Sequence, residues 1–206
     1  MAEKRDSPTP DSTNRPGALP ARYQEVLYWK ISGKPARLVA MNLVAIVLLI
    51  LAGVVFFSLA ANLGQLPRNL ELTPAAFLLL LAATVLVFVL HELAHGISMR
   101  IFGARPQYGV IWKMMAFYAT SPGFAFRRNQ YAAVCLAPLV SLSLLVVLGM
   151  ALLNGTEWVA LLAFFGTVNA SGAAGDVWIM TIVLRYPANA YVIDERDGMR
   201  VLLHAA

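Results

Sequence analysis

From Ala75 to Leu90 the chain carries no charged residue, and this stretch lies within one of four long apolar runs. A helical run of about 20 apolar residues matches the ~30 Å hydrocarbon core of a bilayer. In lipid, every backbone polar group of a span must be satisfied within it or by its neighbours. The runs therefore predict an all-α membrane protein with four transmembrane helices, at about 38–63, 73–102, 131–153 and 158–184. The chain is 59% hydrophobic and only 13% charged, which excludes an ordinary soluble domain. The second run would reach about 45 Å as a helix. It is expected to tilt or to leave the bilayer before Gly103 and Pro106 end it.

The flanks divide the rest. Residues 1–20 are rich in Ser, Pro, Thr, Asp and Asn and read as a disordered tail. No apolar core follows Lys4-Arg5 within reach, so a signal peptide is not expected. Residues 21–37 carry Tyr23, Tyr28 and Trp29 and read as an interfacial segment with aromatics at headgroup level. Residues 38–187 form the four-span domain, and 188–206 a second tail. Between the second and third spans, residues 107–127 alternate Tyr108, Val110 and Trp112 with Gly109, Ile111 and Lys113. A second short run, Ala116 to Thr120, precedes Ser121-Pro122-Gly123. This segment reads either as a membrane-associated β-hairpin or as an irregular amphipathic loop. Pro138 should kink the third span.

Charge sets the orientation. Of 16 Lys and Arg, only Arg68 falls in the loops opposite the other fifteen. The positive-inside rule then places both termini and the 103–130 segment in the cytoplasm of a multi-pass plasma-membrane protein. The net charge of +5 reflects these span-end residues, and no nucleic-acid partner is expected. The single cysteine, Cys135, lies in an apolar run and excludes both a disulfide within the chain and an all-cysteine metal site.

The second run ends in His91-Glu92-Leu93-Ala94-His95-Gly96. Residues i and i+4 of a helix share a face, so His91 and His95 can offer two imidazoles to one metal ion. Glu92 can reach a water on that ion. This is the His-Glu-x-x-His pattern, in which zinc acidifies water and a carboxylate takes its proton. Ionisable groups at membrane depth are costly and are functional by default. Asp176 lies nine residues before Arg185, as His91 lies nine before Arg100. The three side chains should thus sit about 8–14 Å inside the cytoplasmic face, on spans running the same way. Two histidines and an aspartate leave a fourth position open, the catalytic arrangement of Zn2+. Asn169, two turns deeper than Asp176, is a candidate to bind substrate backbone, to orient the site, or to make an interhelical hydrogen bond.

At these residues the chain resembles the site-2 protease-like intramembrane zinc metalloproteases, and more closely a small bacterial membrane family of zincin peptidases. The resemblance rests on His91 to Gly96 and on Gly175-Asp176. It implies His91, His95 and Asp176 as ligands, Glu92 as general base, and a β-hairpin near the site. The proline and the Leu-Asp-Gly of site-2 proteases are absent, since Asn169 precedes Ala170-Ser171-Gly172 and Val177 follows Asp176. The expectation is an intramembrane zinc metallopeptidase acting on a membrane-embedded or juxtamembrane peptide in the lipid bilayer. Two rivals remain: a non-hydrolytic divalent-metal transporter or sensor, and an inactive scaffold of the same fold.

Overall fold

The computed structural model describes residues 17–31, 34–63, 73–112 and 116–205. Most of the expected N-terminal tail, and the whole 64–72 loop, lie outside the described residues. In chain order the elements are β1 (Tyr23–Lys30), α1 (Pro35–Asn62), α2 (Pro74–Ile101), β2 (Gln107–Ile111), β3 (Ala116–Thr120), β4 (Ala125–Arg127), α3 (Arg128–Leu152), α4 (Trp158–Gly172), α5 (Ala174–Val183), β5 (Tyr191–Glu195) and β6 (Gly198–His204).

Helices α1, α2 and α3 are each long and apolar enough to cross a membrane. Proline opens α1 and α2, where a missing N–H costs nothing. Thr73 caps α2, its hydroxyl accepting the Ala76 N–H at 3.1 Å. Gly103, at φ 88°, takes the left-handed conformation that ends α2 and reverses the chain. The fourth run is not one straight helix. It breaks at Ala173 into α4 and α5, bent by 41°, and the two together pass as a span. The break follows the Ser171-Gly172 pair, a common origin of sharp kinks.

Helix α4 is the centre of the bundle. A core of Ala52, Phe56 and Ala60 from α1, Val146 and Met150 from α3, and Val159 and Ala163 from α4 holds three helices together. Gly166 lets the Phe56 ring lie directly on α4, where a Cβ would overlap it. Outward faces carry large exposed apolar side chains, among them Leu43, Ile50, Leu78, Leu86 and Leu144, as expected where lipid is the solvent.

The expectation of an all-α fold is corrected. Helices predominate, but two antiparallel sheets lie at one end of the bundle. Strands β2 and β3 pair from Gln107↔Thr120 to Ile111↔Ala116, so the hairpin reading holds for these two strands, while β4, at the end of the 107–127 segment, pairs with β5. A second sheet, ordered β1-β6-β5-β4, joins the two chain ends. Residues 21–37, read as an interfacial segment, contribute β1; residues 188–206, read as a tail, contribute the β5–β6 hairpin. The physical reason is burial. Trp29, Val192, Met199 and Val201 on the inner face pack with Met99, Phe126, Tyr131 and Val183 into a core beneath the helix ends. Trp29 is therefore a core residue and not a headgroup anchor.

Candidate metal centre

Helix α2 carries His91 and His95 one turn apart, both buried, with ring centroids 5.1 Å apart. Asp176 enters from the first turn of α5, just beyond the break at Ala173. The bend is what brings this carboxylate to the histidines. Its Oδ2 lies 3.0 Å from His91 Nε2, and its Oδ1 lies 3.2 Å from His95 Nε2. One donor atom from each of the three residues falls within 4.8 Å of the others. The residues expected to share a site are thus brought together from two helices 85 positions apart.

The remaining ring nitrogens decide what the cluster can hold. His91 Nδ1 lies 3.0 Å from Asn169 Oδ1. His95 Nδ1 lies 2.9 Å from the Val134 carbonyl oxygen. Both partners are acceptors, so both Nδ1 atoms carry a proton; each Nε2 faces Asp176 as a donor to its carboxylate, and a metal would take the place of those protons on the Nε2 lone pairs. Two neutral imidazoles and a carboxylate, oriented by a second layer of hydrogen bonds, form a donor set that fits zinc.

Those second-layer partners come from the sequence in unlike ways. Asn169 is fully buried, and its Nδ2 donates to the Pro138 carbonyl at 3.2 Å. Both ends of its amide are engaged, one on the His91 ring and one on the Pro138 carbonyl of α3. Val134 has no polar side chain, and sequence reasoning missed it. The signal was Pro138. A helical proline has no N–H for the carbonyl four residues back, which here is Val134. That freed, buried carbonyl receives His95 Nδ1–H.

Glu92 sits beside the cluster, partly buried, with the backbone amide of Ala119 on β3 against its carboxylate. Gly96 permits this closeness of hairpin and helix, since a Cβ there would strike the Tyr108 hydroxyl. Gly172 does the same for α4, which lies against Phe88 and His91. A cavity of about 290 Å³ reaches from Glu92, His95 and Asp176 past Tyr118 and Tyr131 to the β5–β6 turn.

One residue in its wall was not foreseen. Asp194 on β5 is buried, and its Oδ1 accepts the Tyr131 O–H at 2.6 Å. Burial pushes its carboxyl up to about 6, against the opposing effects of Thr120, Tyr131, His95 and the Ser121 amide. The signal that could have found its strand is Asp197-Gly198, a turn pair between two alternating apolar runs.

Among known proteins, a family model described as "Putative zincin peptidase" matches residues 84–191. That interval begins within α2 and ends at the start of β5, so it contains His91, Glu92, His95, Asn169 and Asp176. No curated protein and no solved structure matches the chain.

Proposed function

The chain belongs to this zincin peptidase family, and we propose that it is an intramembrane zinc metallopeptidase of the site-2 protease-like type, cleaving a peptide bond within or beside the bilayer. The observation that carries the reading is a carboxylate outside the donor set, Glu92, lining one cavity with His95 and Asp176 of the oriented His91–His95–Asp176 cluster. A site that only binds or carries a metal has no need of that carboxylate.

Zinc held by His91, His95 and Asp176 would supply Lewis acidity, polarising the scissile carbonyl and making water a better nucleophile. Glu92 takes the proton of the attacking water and hands it to the departing amine. Asn169 and Val134 hold the two imidazoles with Nε2 forward. Strand β3 offers the substrate its edge: the Ala119 amide, lying against Glu92, is turned away from β2, and Phe117 two residues earlier shares that direction. An extended peptide on this edge would pair with β3 and present its carbonyl to the cluster. The fifteen-to-one distribution of basic residues supports a plasma-membrane location with both termini and the site on the cytoplasmic side.

The test separates enzyme from metal carrier. Glu92→Gln keeps the side chain's size but cannot accept a proton, so zinc content should stay at the wild-type level. Cleavage of a membrane-inserted peptide should fall by roughly 10²–10⁴-fold, the usual worth of a general base. Asp176→Ala should lose the zinc as well. Wild-type protein that cleaves no membrane peptide, but takes zinc into vesicles in a His91-dependent way, would replace the peptidase with a transporter.

A further inference from the structure

Two cavities meet at the metal cluster. The first runs toward the β5–β6 turn. The second, also of about 290 Å³, is walled by Phe88 of α2, Phe117 of β3 and Gly172 at the end of α4, with His91, Glu92 and Asp176 on its remaining side. Glu92, Phe117, Gly172 and Asp176 belong to both.

The hairpin fixes the direction in which Phe117 points. Tyr108 of β2 rests on α2 at Gly96. Ala119 is its partner across the hairpin, so the two share the face turned to α2. Phe117, two residues back along β3, points the same way. On α2, Phe88, Glu92 and Gly96 are spaced by one turn each and form one stripe. The hairpin lies along that stripe, with Tyr108 at Gly96, Ala119 at Glu92, and Phe117 sharing a cavity with Phe88.

Gly172 keeps the space open. It is helical and has no positive φ, so its backbone conformation does not call for glycine. What calls for it is room: a Cβ there would stand 3.1 Å from the Phe88 ring and 4.0 Å from His91 Nδ1. A peptide paired with the edge of β3 follows the strand's alternation. Its side chain opposite Phe117 falls on the same face as Phe117, in reach of that ring.

We propose that Phe88, Phe117 and Gly172 form a side-chain pocket of the peptidase site, and that the substrate carries a large apolar residue, of the leucine or phenylalanine class, next to the bond that is cleaved. This rests on the peptidase reading of the metal centre. The two rings supply the apolar area, and the carboxylates of the cavity lie at its metal end.

The experiment reads binding before catalysis. Zinc-loaded, full-length protein in detergent is titrated with hydroxamates, metal-chelating acids whose single side chain runs from methyl through isobutyl to benzyl. A buried methylene is worth about fourfold in affinity, so isobutyl and benzyl should bind roughly tenfold or more tighter than methyl. Gly172→Ala puts a methyl into the cavity and should remove most of that gain, with zinc content and melting temperature held. Phe88→Ala enlarges the cavity and should move the optimum to a naphthyl side chain, again with zinc retained. A wild-type series that is flat, as it would be with a lipid chain filling the cavity, overturns the proposal. So does failure of every hydroxamate to bind, or a gain that neither variant alters while zinc is retained. Cleavage of peptides randomised around the scissile bond is measured separately. A graded series with no cleavage keeps the pocket and removes the peptidase; cleavage with no apolar preference does the reverse.

Discussion

His91 and His95 depend on different kinds of partner. His91 leans on a side chain, Asn169, and His95 on a backbone carbonyl, Val134. The histidines and Glu92 were legible because their geometry is local: four residues along a helix is one face. Asp176 was legible because a carboxylate in a span has no packing role and its distance from Arg185 matched the depth of the histidines. Asp194 was not, because nothing about a carboxylate in a C-terminal stretch separates a solvated group from a buried one. Its burial has a measurable consequence. The carboxyl is pushed up to about 6 in the folded chain, from an ordinary 3.8, by desolvation that Tyr131, Thr120, Ser121 and His95 only partly offset. A folded pKa above the unfolded one gives stability that is complete below about pH 4 and lost as pH rises through about 6. At roughly 1.4 kcal/mol per unit, the loss is on the order of 3 kcal/mol. Asp194→Asn should therefore gain on wild type between pH 4.5 and 7.5. Paired thermal melts of the two proteins at each pH measure the difference and cancel the titrations they share; a constant gap would show that the buried carboxyl does not ionise in this range.

At the scale of elements, α3 does more than span. Its proline frees a carbonyl at the depth of the metal centre, and the expected kink is less important than this acceptor. Pro138→Ala would restore an N–H to bond Val134, which then competes with His95 Nδ1–H. Loss of an outer-layer partner of a metal ligand typically costs about 10–100-fold in affinity. Zinc affinity by chelator competition should fall by that order, while the melting temperature of the zinc-free protein rises or holds, since a helix hydrogen bond is gained. A fall in both would mark Pro138 as a packing residue only. The break between α4 and α5 was the element least visible beforehand. Asn169 to Gly175 is small and polar, and small residues serve close packing as readily as bending; only the angle tells them apart. The hairpin β2–β3 was half visible, since five alternating residues fit a strand and an amphipathic loop alike. The β5–β6 hairpin carries a stronger sign in Asp197-Gly198, but a segment that follows the last span fits a tail as well.

On the scale of the whole molecule, the four apolar runs gave the bundle, and the sheet at its end went unread. The reason is sequence distance. Tyr23 pairs with His204 and Lys30 with Gly198, and no local pattern in either segment points to the other. Topology can be checked with a membrane-impermeant thiol reagent. The native Cys135 is buried and should stay silent. A cysteine at position 155, between α3 and α4, should label from outside intact cells, and one at 105, between α2 and β2, should not; the opposite pattern would move the site to the outer face. The join of β1 to β6 also settles a matter of parity. Two strands that share a ladder occupy one side of the bilayer, so the chain between Lys30 and Tyr191 must cross an even number of times. Three crossings would leave the partners on opposite sides with a hydrocarbon slab between them. If α1, α2 and α3 each cross, α4 and α5 have to make the fourth traverse between them despite their bend. The stitched ends convert a count of helices into an arithmetic constraint, one that holds whichever way round the protein is inserted.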